Sequence, residues 1–380
     1  MKICFWGNIG RAMDGKTDGG GELQIAFIAR ALASCGHEIV VVDYNTRESY
    51  TTAEGIKVLP ISNWNKGLRV VRTITHRLPG LYSTLMEQNA DIYYCRIRDF
   101  RHIIAWMVSR RLKAKFILHL ASDLDAMNLK GRVKGYYMAQ SANLWWLFSG
   151  IFIEFAYPFL LRHADLVLVQ HTGQRDILLR KKIRSRVFLN IIDITLLPEP
   201  TLNAHRDFIY VGWLDKRKGF PDFYKLVERA PTRTYRIVGE PRDDIGRFYY
   251  NKLKAFPNVK LMGVLSHYET LRQISGSKAL ISTSPSEGFP NVFLEAWAYG
   301  IPVISLNIDP GSVIENRKLG TIAHGNMNVM LQSLDDKAFN EEFAHRAMQY
   351  IEENHALTPK KVTEINTIFT ELRYGQNGNS

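Results

Sequence analysis

Short apolar runs alternate with amphipathic stretches along this 380-residue chain, and they do so in two separate series. Such alternation marks β-α units that build parallel sheets. A strand buried on both faces is apolar throughout, whereas its crossover helix is apolar on one side only. In the first series, strands are expected at 2–7, 39–44, 91–94, 115–119 and 165–170, with a helix over 22–35. In the second they are expected at 208–211, 235–238, 259–262, 279–282 and 303–306. Pro198, Pro200 and the polar stretch 203–207 make a linker between the series. The expected class is α/β, with two doubly wound domains facing a cleft. One covers 1–200 and the other 205–355, and a final helix near 359–374 joins the first. The length agrees, since 380 residues exceed what one hydrophobic core usually organises. Open sheets of this kind bind ligands beyond the carboxyl ends of their strands, so the cleft is the expected site.

Apolar residues at 46% and charged residues at 23% exclude a disordered or low-complexity chain. The net charge of +12 sits unevenly: residues 1–200 hold 27 Lys and Arg against 17 Asp and Glu, while 201–380 hold 22 against 20. A basic first half attracts phosphate, anionic lipid or nucleic acid. Nucleic acid is not expected as a partner, because no recognition motif accompanies the charge. Cys4, Cys35 and Cys95 are scattered and odd in number, which suits neither a disulfide framework nor a zinc site and fits a reducing compartment. The apolar run at the start is too short for a signal peptide, so a cytoplasmic location is expected.

Residues 281–305 read ISTSPSEGFPNVFLEAWAYGIPVIS. A buried strand leads into a loop holding Glu287 and Gly288. A helix then starts near Pro290 or Asn291 and stops at Gly300. The backbone N–H groups at 291–293 and the positive end of the helix dipole form a site for an anion. Glu287 and Glu295 flank it, and carboxylates accept hydrogen bonds from vicinal hydroxyls. The pattern therefore suits a ligand that is both phosphate and polyol. On spacing alone, a solvated Glu287 and a Glu295 that merely complements the dipole fit equally well.

This stretch resembles the E-x7-E element of family-4 retaining glycosyltransferases of the GT-B fold, the "glycosyl transferases group 1", and its neighbours agree in order. FIYVGWLDKRKGF at 208–220 resembles the family's strand, glycine and Lys-Gly turn; YRIVGE at 235–240 resembles its next strand and nucleotide-side turn; NVKLMGVLS at 258–266 resembles the strand after that. The resemblance runs from about 207 to 322. It implies two Rossmann-like domains in the GT-B arrangement. Glu287 would contact hydroxyls of the transferred sugar and Glu295 would hold the donor ribose. Backbone around Phe289, Asn291 and Val292 would meet sugar and diphosphate, Lys218 would lie over the diphosphate, and Gly212 and Gly239 would let the donor approach. Trp213 stands where the family carries an arginine, which removes a bidentate phosphate donor. Lys216 and Arg217 are the nearby cations available to compensate.

In the first half the match is looser. The turn Gly19, Gly20, Gly21 resembles the family's glycine-rich turn, where positive φ angles would make an anion nest. His119, ending the strand at 115–119, matches a histidine that faces the sugar. Asp123 and Asp125 copy the DxD spacing of another glycosyltransferase fold, but in this setting they are read as solvated or acceptor-side, and no metal site is expected. The implied reaction is retaining transfer of a hexose-type sugar from a UDP- or GDP-sugar to a glycan or lipid-linked acceptor, as in polysaccharide biosynthesis. The nucleotide sugar is a co-substrate, and neither cofactor nor obligatory metal is expected. The alternatives are a non-catalytic nucleotide-sugar-binding scaffold and a nucleotide-sugar epimerase. Residues 135–153 carry no charge, and 136–159 hold nine aromatics after Lys130, Arg132 and Lys134. The segment 135–161 reads either as a peripheral membrane contact at the inner face of the cytoplasmic membrane or as a core or dimer contact.

Overall fold

The computed structural model describes residues 1–13, 19–68, 71–127, 144–200, 207–336 and 339–375, with only the backbone described over 144–152. The chain divides into two compact units. Met1–Ala121, Asn143–Ile191 and Leu357–Ser380 form the first, and Ser122–Ala142 with Ile192–Ala356 form the second.

The first unit holds strands β1 (Lys2–Gly7), β2 (Glu38–Asp43), β3 (Tyr50–Thr51), β4 (Lys57–Pro60), β5 (Ile92–Arg96), β6 (Lys115–His119), β7 (Leu166–Val169) and β8 (Arg186–Val187). They form one sheet in the order β3-β4-β2-β1-β5-β6-β7-β8, parallel except for the β3–β4 edge. β1 is apolar and buried from Ile3 to Trp6, as a central strand covered on both faces must be. The helix Gly20–Ser34 lies against the sheet, and the helix Pro359–Tyr374 packs on it, burying Ile365, Ile368 and Phe369 in the same core.

The second unit holds β9 (Phe208–Val211), β10 (Tyr235–Val238), β11 (Val259–Gly263), β12 (Ala279–Ser282), β13 (Val303–Ser305) and β14 (Gly320–Ile322), in the order β11-β10-β9-β12-β13-β14 and parallel throughout. Side chains alternate across this sheet. Ile209 joins a core cluster with Phe293, Leu294 and Trp297 on one face, while Phe208 and Tyr210 join Phe220 and Phe223 on the other. The strand order reverses between β9 and β12. In open α/β sheets a crevice for ligands lies at such a point, beyond the carboxyl ends of the strands.

The long strands and the helix after β12 fall where the alternation places them, within a residue or two. Four short strands escape it. β3 and β8 have two residues each, β4 ends in Pro60, and β14 has three residues. Of the expected linker, 203–206 lies outside the described residues, as does 135–143 of the aromatic segment. Residues 153–161 of that segment belong to the helix Leu144–His163, where Tyr157, Leu160 and Leu161 are buried in the first unit and Phe155 is exposed. Among the described residues no helix is long and apolar enough to cross a membrane.

Candidate functional site

After β9 the chain makes a tight turn, Lys216–Lys218, before a helix over Phe220–Arg229. Buried Asp215 caps this turn: one carboxylate oxygen accepts the Lys218 N–H at 2.9 Å, and the other takes Arg217 at 2.8 Å. The Lys218 carbonyl accepts from the Tyr210 hydroxyl at 3.2 Å and from Thr283 Oγ1 at 3.3 Å. Burial, and then the charges of Asp215 and Glu287, push the Tyr210 phenol well above its ordinary value, so it stays a neutral donor. Gly219 follows with φ +66, and a Cβ there would lie 2.0 Å from the Thr283 carbonyl oxygen. Only glycine satisfies both conditions. The turn carrying Lys218 is thereby pressed against the carboxyl end of β12.

After β12, the loop ends at Pro290, the N-cap of the helix Asn291–Ala298, and no side chain caps that helix. Phe289 anchors the loop from inside, buried beside Trp297 and His355. Glu287 meets Lys218 here, with Nζ 2.5 Å from Oε1 and both side chains partly open to solvent. A small cavity of 30 Å³ adjoins them, lined by Ser284, Pro290 and Val292 among others. The ammonium, the carboxylate and an uncapped helix start thus converge at the point where the strand order reverses. Such a group can hold an anion and a hydroxyl-rich ring side by side.

Glu295 is buried on the first turns of the same helix, and Oε1 takes His267 Nε2 at 2.9 Å. Burial opposes the His267 charge, but the hydrogen bond and charge of Glu295 outweigh it and raise the histidine above its ordinary value. His267 opens the helix His267–Ser275, which has a Ser266–Glu269 capping box. Gly212 and Gly239 stand side by side after β9 and β10, and a Cβ on Gly239 would lie 2.0 Å from the Gly212 carbonyl oxygen. The loops beyond them are joined backbone to backbone, Leu214 N–H to Glu240 O at 3.0 Å and Arg242 N–H to Leu214 O at 3.4 Å. This pairing lays the Arg242 guanidinium on the Trp213 ring, 3.1 Å from its centre. Sequence reasoning passed over both His267 and Arg242. The helix-start pattern S-x-x-E at 266–269 was the available signal for the first. Nothing in the sequence announced the second.

The remaining expected residues lie in the first unit. Gly20 and Gly21 open the helix Gly20–Ser34 rather than a nest: Gly19 is extended at φ −159, and none of the three has positive φ. Gly21 is small because the helix start crowds its surroundings, a Cβ there lying 2.9 Å from the Ile97 side chain. His119 is fully buried at the end of β6. Its Nδ1 lies 2.6 Å from the Tyr94 hydroxyl and 3.2 Å from Arg96 Nη1, its ring meets Phe188, and Nε2 has no hydrogen-bond partner among the described residues. Burial, reinforced by Arg96, holds it well below the ordinary histidine value and keeps it neutral. Asp125 is not solvated but buried, where it completes a capping box with Ser122. Among the described residues no group of three His, Cys, Asp or Glu side chains could hold a metal ion.

Two doubly wound sheets, with cation, carboxylate and helix start gathered at the switch point of the second, define a GT-B fold. Residues 205–344 match the family of glycosyl transferases group 1. The fold matches sucrose-phosphate synthase from Thermosynechococcus elongatus, with a TM-score of 0.76 at 15% identity over 98% of this chain and 99% of that one. It also matches HepE from Anabaena, solved in complex with UDP, with a TM-score of 0.67 at 17% identity over 98% and 99%. An uncharacterized glycosyltransferase of Methanocaldococcus jannaschii is 27% identical over 186 residues, 43% of this chain and 45% of that protein. The chain thus spans about half the length of the first curated relatives it matches, 45% in each case.

Proposed function

We propose that this chain transfers a hexose-type sugar, with retention, from a UDP- or GDP-sugar to a glycan or lipid-linked acceptor in the cytoplasm. The observation that carries the reading is the Lys218–Glu287 pair beside the uncapped start of the helix Asn291–Ala298. In the free protein these two charges neutralise each other. A nucleotide sugar offers each a better partner: the diphosphate takes the ammonium and the helix start, and the sugar hydroxyls take the carboxylate. As the glycosidic bond breaks, negative charge grows on the departing diphosphate, where Lys218 and the helix dipole stabilise it. Glu295, held by His267, accepts from ribose hydroxyls, and Gly212 and Gly239 leave room for the nucleotide. The first unit supplies the acceptor side. The relative solved with UDP supports a uridine donor.

Trp213, at the family's arginine position, favours a second reading, a scaffold that binds nucleotide sugar without turnover. Arg242 on the Trp213 ring counts against it, because it returns a guanidinium to this edge of the sheet. Thermal melting with UDP, GDP and ADP, each with and without an attached sugar, tests the binding. Anything that binds only the folded chain raises Tm. A rise with one nucleotide names the base, and no rise with any of them refutes the donor site. Binding without sugar release to acceptors or water selects the scaffold.

A further inference from the structure

A second cavity, of 680 Å³, lies wholly within the first unit at the carboxyl ends of β2 and β4. Its floor is aromatic. The rings of Tyr44 and Trp64 stack 5.4 Å apart at 22°. The Arg101 guanidinium lies 5.0 Å from the first and 5.2 Å from the second, and Arg77 lies 4.9 Å from the Trp64 ring while its Nε donates to the Trp64 carbonyl at 3.1 Å. Arg47 and Lys66 complete a wall of four cations.

The acids nearby are already committed. Asp99 holds Arg101 through both oxygens, at 2.8 and 2.9 Å from Nε. Asp43 is buried and spends both oxygens on backbone N–H groups of Ile9, Gly10, Asn45 and Thr46. Among the described residues Arg47, Lys66 and Arg77 make no ion pair. Burial, and then the like charges of Arg72 and Arg101, hold Arg77 below the ordinary arginine value. Gathering like charges around a cavity costs free energy in the unliganded chain, and an anion offsets that cost. Asn63 and Asn65 in the same lining offer hydrogen bonds to the hydroxyls of a sugar.

We propose that this cavity is a binding site for an anionic sugar, a pyranose bearing a phosphate. Its volume falls in the range of small-molecule sites. Its use as the acceptor position rests on the transfer reading above, whereas the binding itself does not. The phosphate belongs either to a soluble sugar phosphate or to the headgroup of a lipid-linked sugar.

The test is calorimetric titration of the full chain with glucose 1-phosphate, N-acetylglucosamine 1-phosphate and free glucose, in the presence of excess UDP and GDP to fill any donor site. The sugar phosphates should bind and glucose should not. Arg77→Gln and Lys66→Gln should each weaken binding roughly tenfold with unchanged nucleotide response, the usual scale of one charge-assisted contact. Added salt should weaken wild-type binding, a readout that needs no variant. Sedimentation with phosphatidylcholine vesicles, with and without a polyprenyl-phosphate-linked glucose, separates the sources. Capture by the phosphate-bearing vesicles alone, lost in Arg77→Gln, assigns the lipid-linked form, and soluble binding without capture assigns the free form. The proposal is overturned if no sugar phosphate binds at millimolar concentration, if glucose binds equally well, if nucleotide displaces the sugar phosphate, or if neither substitution changes its affinity.

Discussion

Gly219 and Gly263 offer a matched pair for measuring how tightly the candidate site is built. Both belong to the second unit and both are left-handed, at φ +66 and +68. They differ in surroundings. A Cβ on Gly263 meets nothing within 4 Å, whereas one on Gly219 lies 2.0 Å from the Thr283 carbonyl oxygen. Alanine at either position pays for left-handed backbone, about 1–2 kcal/mol. At 219 the main chain of the β12 loop must also move by more than an ångström, an overpacking cost of about 1–3 kcal/mol. That difference corresponds to a gap of roughly 2–12 °C in Tm for a unit of this size. Scanning calorimetry of both full-length variants reads it directly, since one unit carries both changes. Gly219→Ala should melt lower than Gly263→Ala and should also weaken nucleotide binding, because the shift separates Lys218 from Glu287. Equal melting temperatures would refute the argument that contact between the turn and β12 fixes the site.

Glu287→Ala should abolish sugar transfer while costing no more than about 1 kcal/mol of stability, the scale of a solvent-accessible ion pair; wild-type turnover in the purified variant would remove the assignment. Arg242→Ala should weaken nucleotide binding with little change in Tm, and Trp213→Ala should do the same by removing the ring that orients the guanidinium; unchanged titration curves for both would show the stack to be incidental. The His267–Glu295 pair makes stability depend on pH. The folded-state histidine value is raised, so the contribution is fully present below the unfolded value of about 6.5 and lost as pH rises through the higher folded value. The Tm difference between wild type and His267→Ala should therefore shrink from mildly acidic to alkaline buffer, and a difference that grows would overturn it.

The central strands were legible because β1, β5, β6, β9 and β12 are buried on both faces and must be apolar throughout. The helix after β12 was legible because Pro290 and Gly300 punctuate it. The edges were not: a two-residue strand such as β3 carries no periodicity to read. Spacing found Glu287, but its partner could not be inferred without the fold, since 69 residues separate it from Lys218. The three glycines at 19–21 misled, because a sequence does not distinguish glycine needed for positive φ from glycine needed for room. Arg242 was invisible for a further reason: its place on Trp213 follows from pairing between loops of neighbouring strands, which no local pattern encodes.

The return of the helix Pro359–Tyr374 to the first unit bears on how a ribosome delivers this protein. Domains usually fold as units, the N-terminal one first. Here Ile365, Ile368 and Phe369 complete a core begun by Ile3 and Phe5, so the first unit cannot close until that last helix has emerged. The sheet of the second unit, made wholly within Ile192–Ala356, is available earlier. The later-encoded half is thus ready to fold before the half that precedes it. During the interval the apolar side chains of the helix Gly20–Ser34 that pack against Ile365, Ile368 and Phe369 lack that cover.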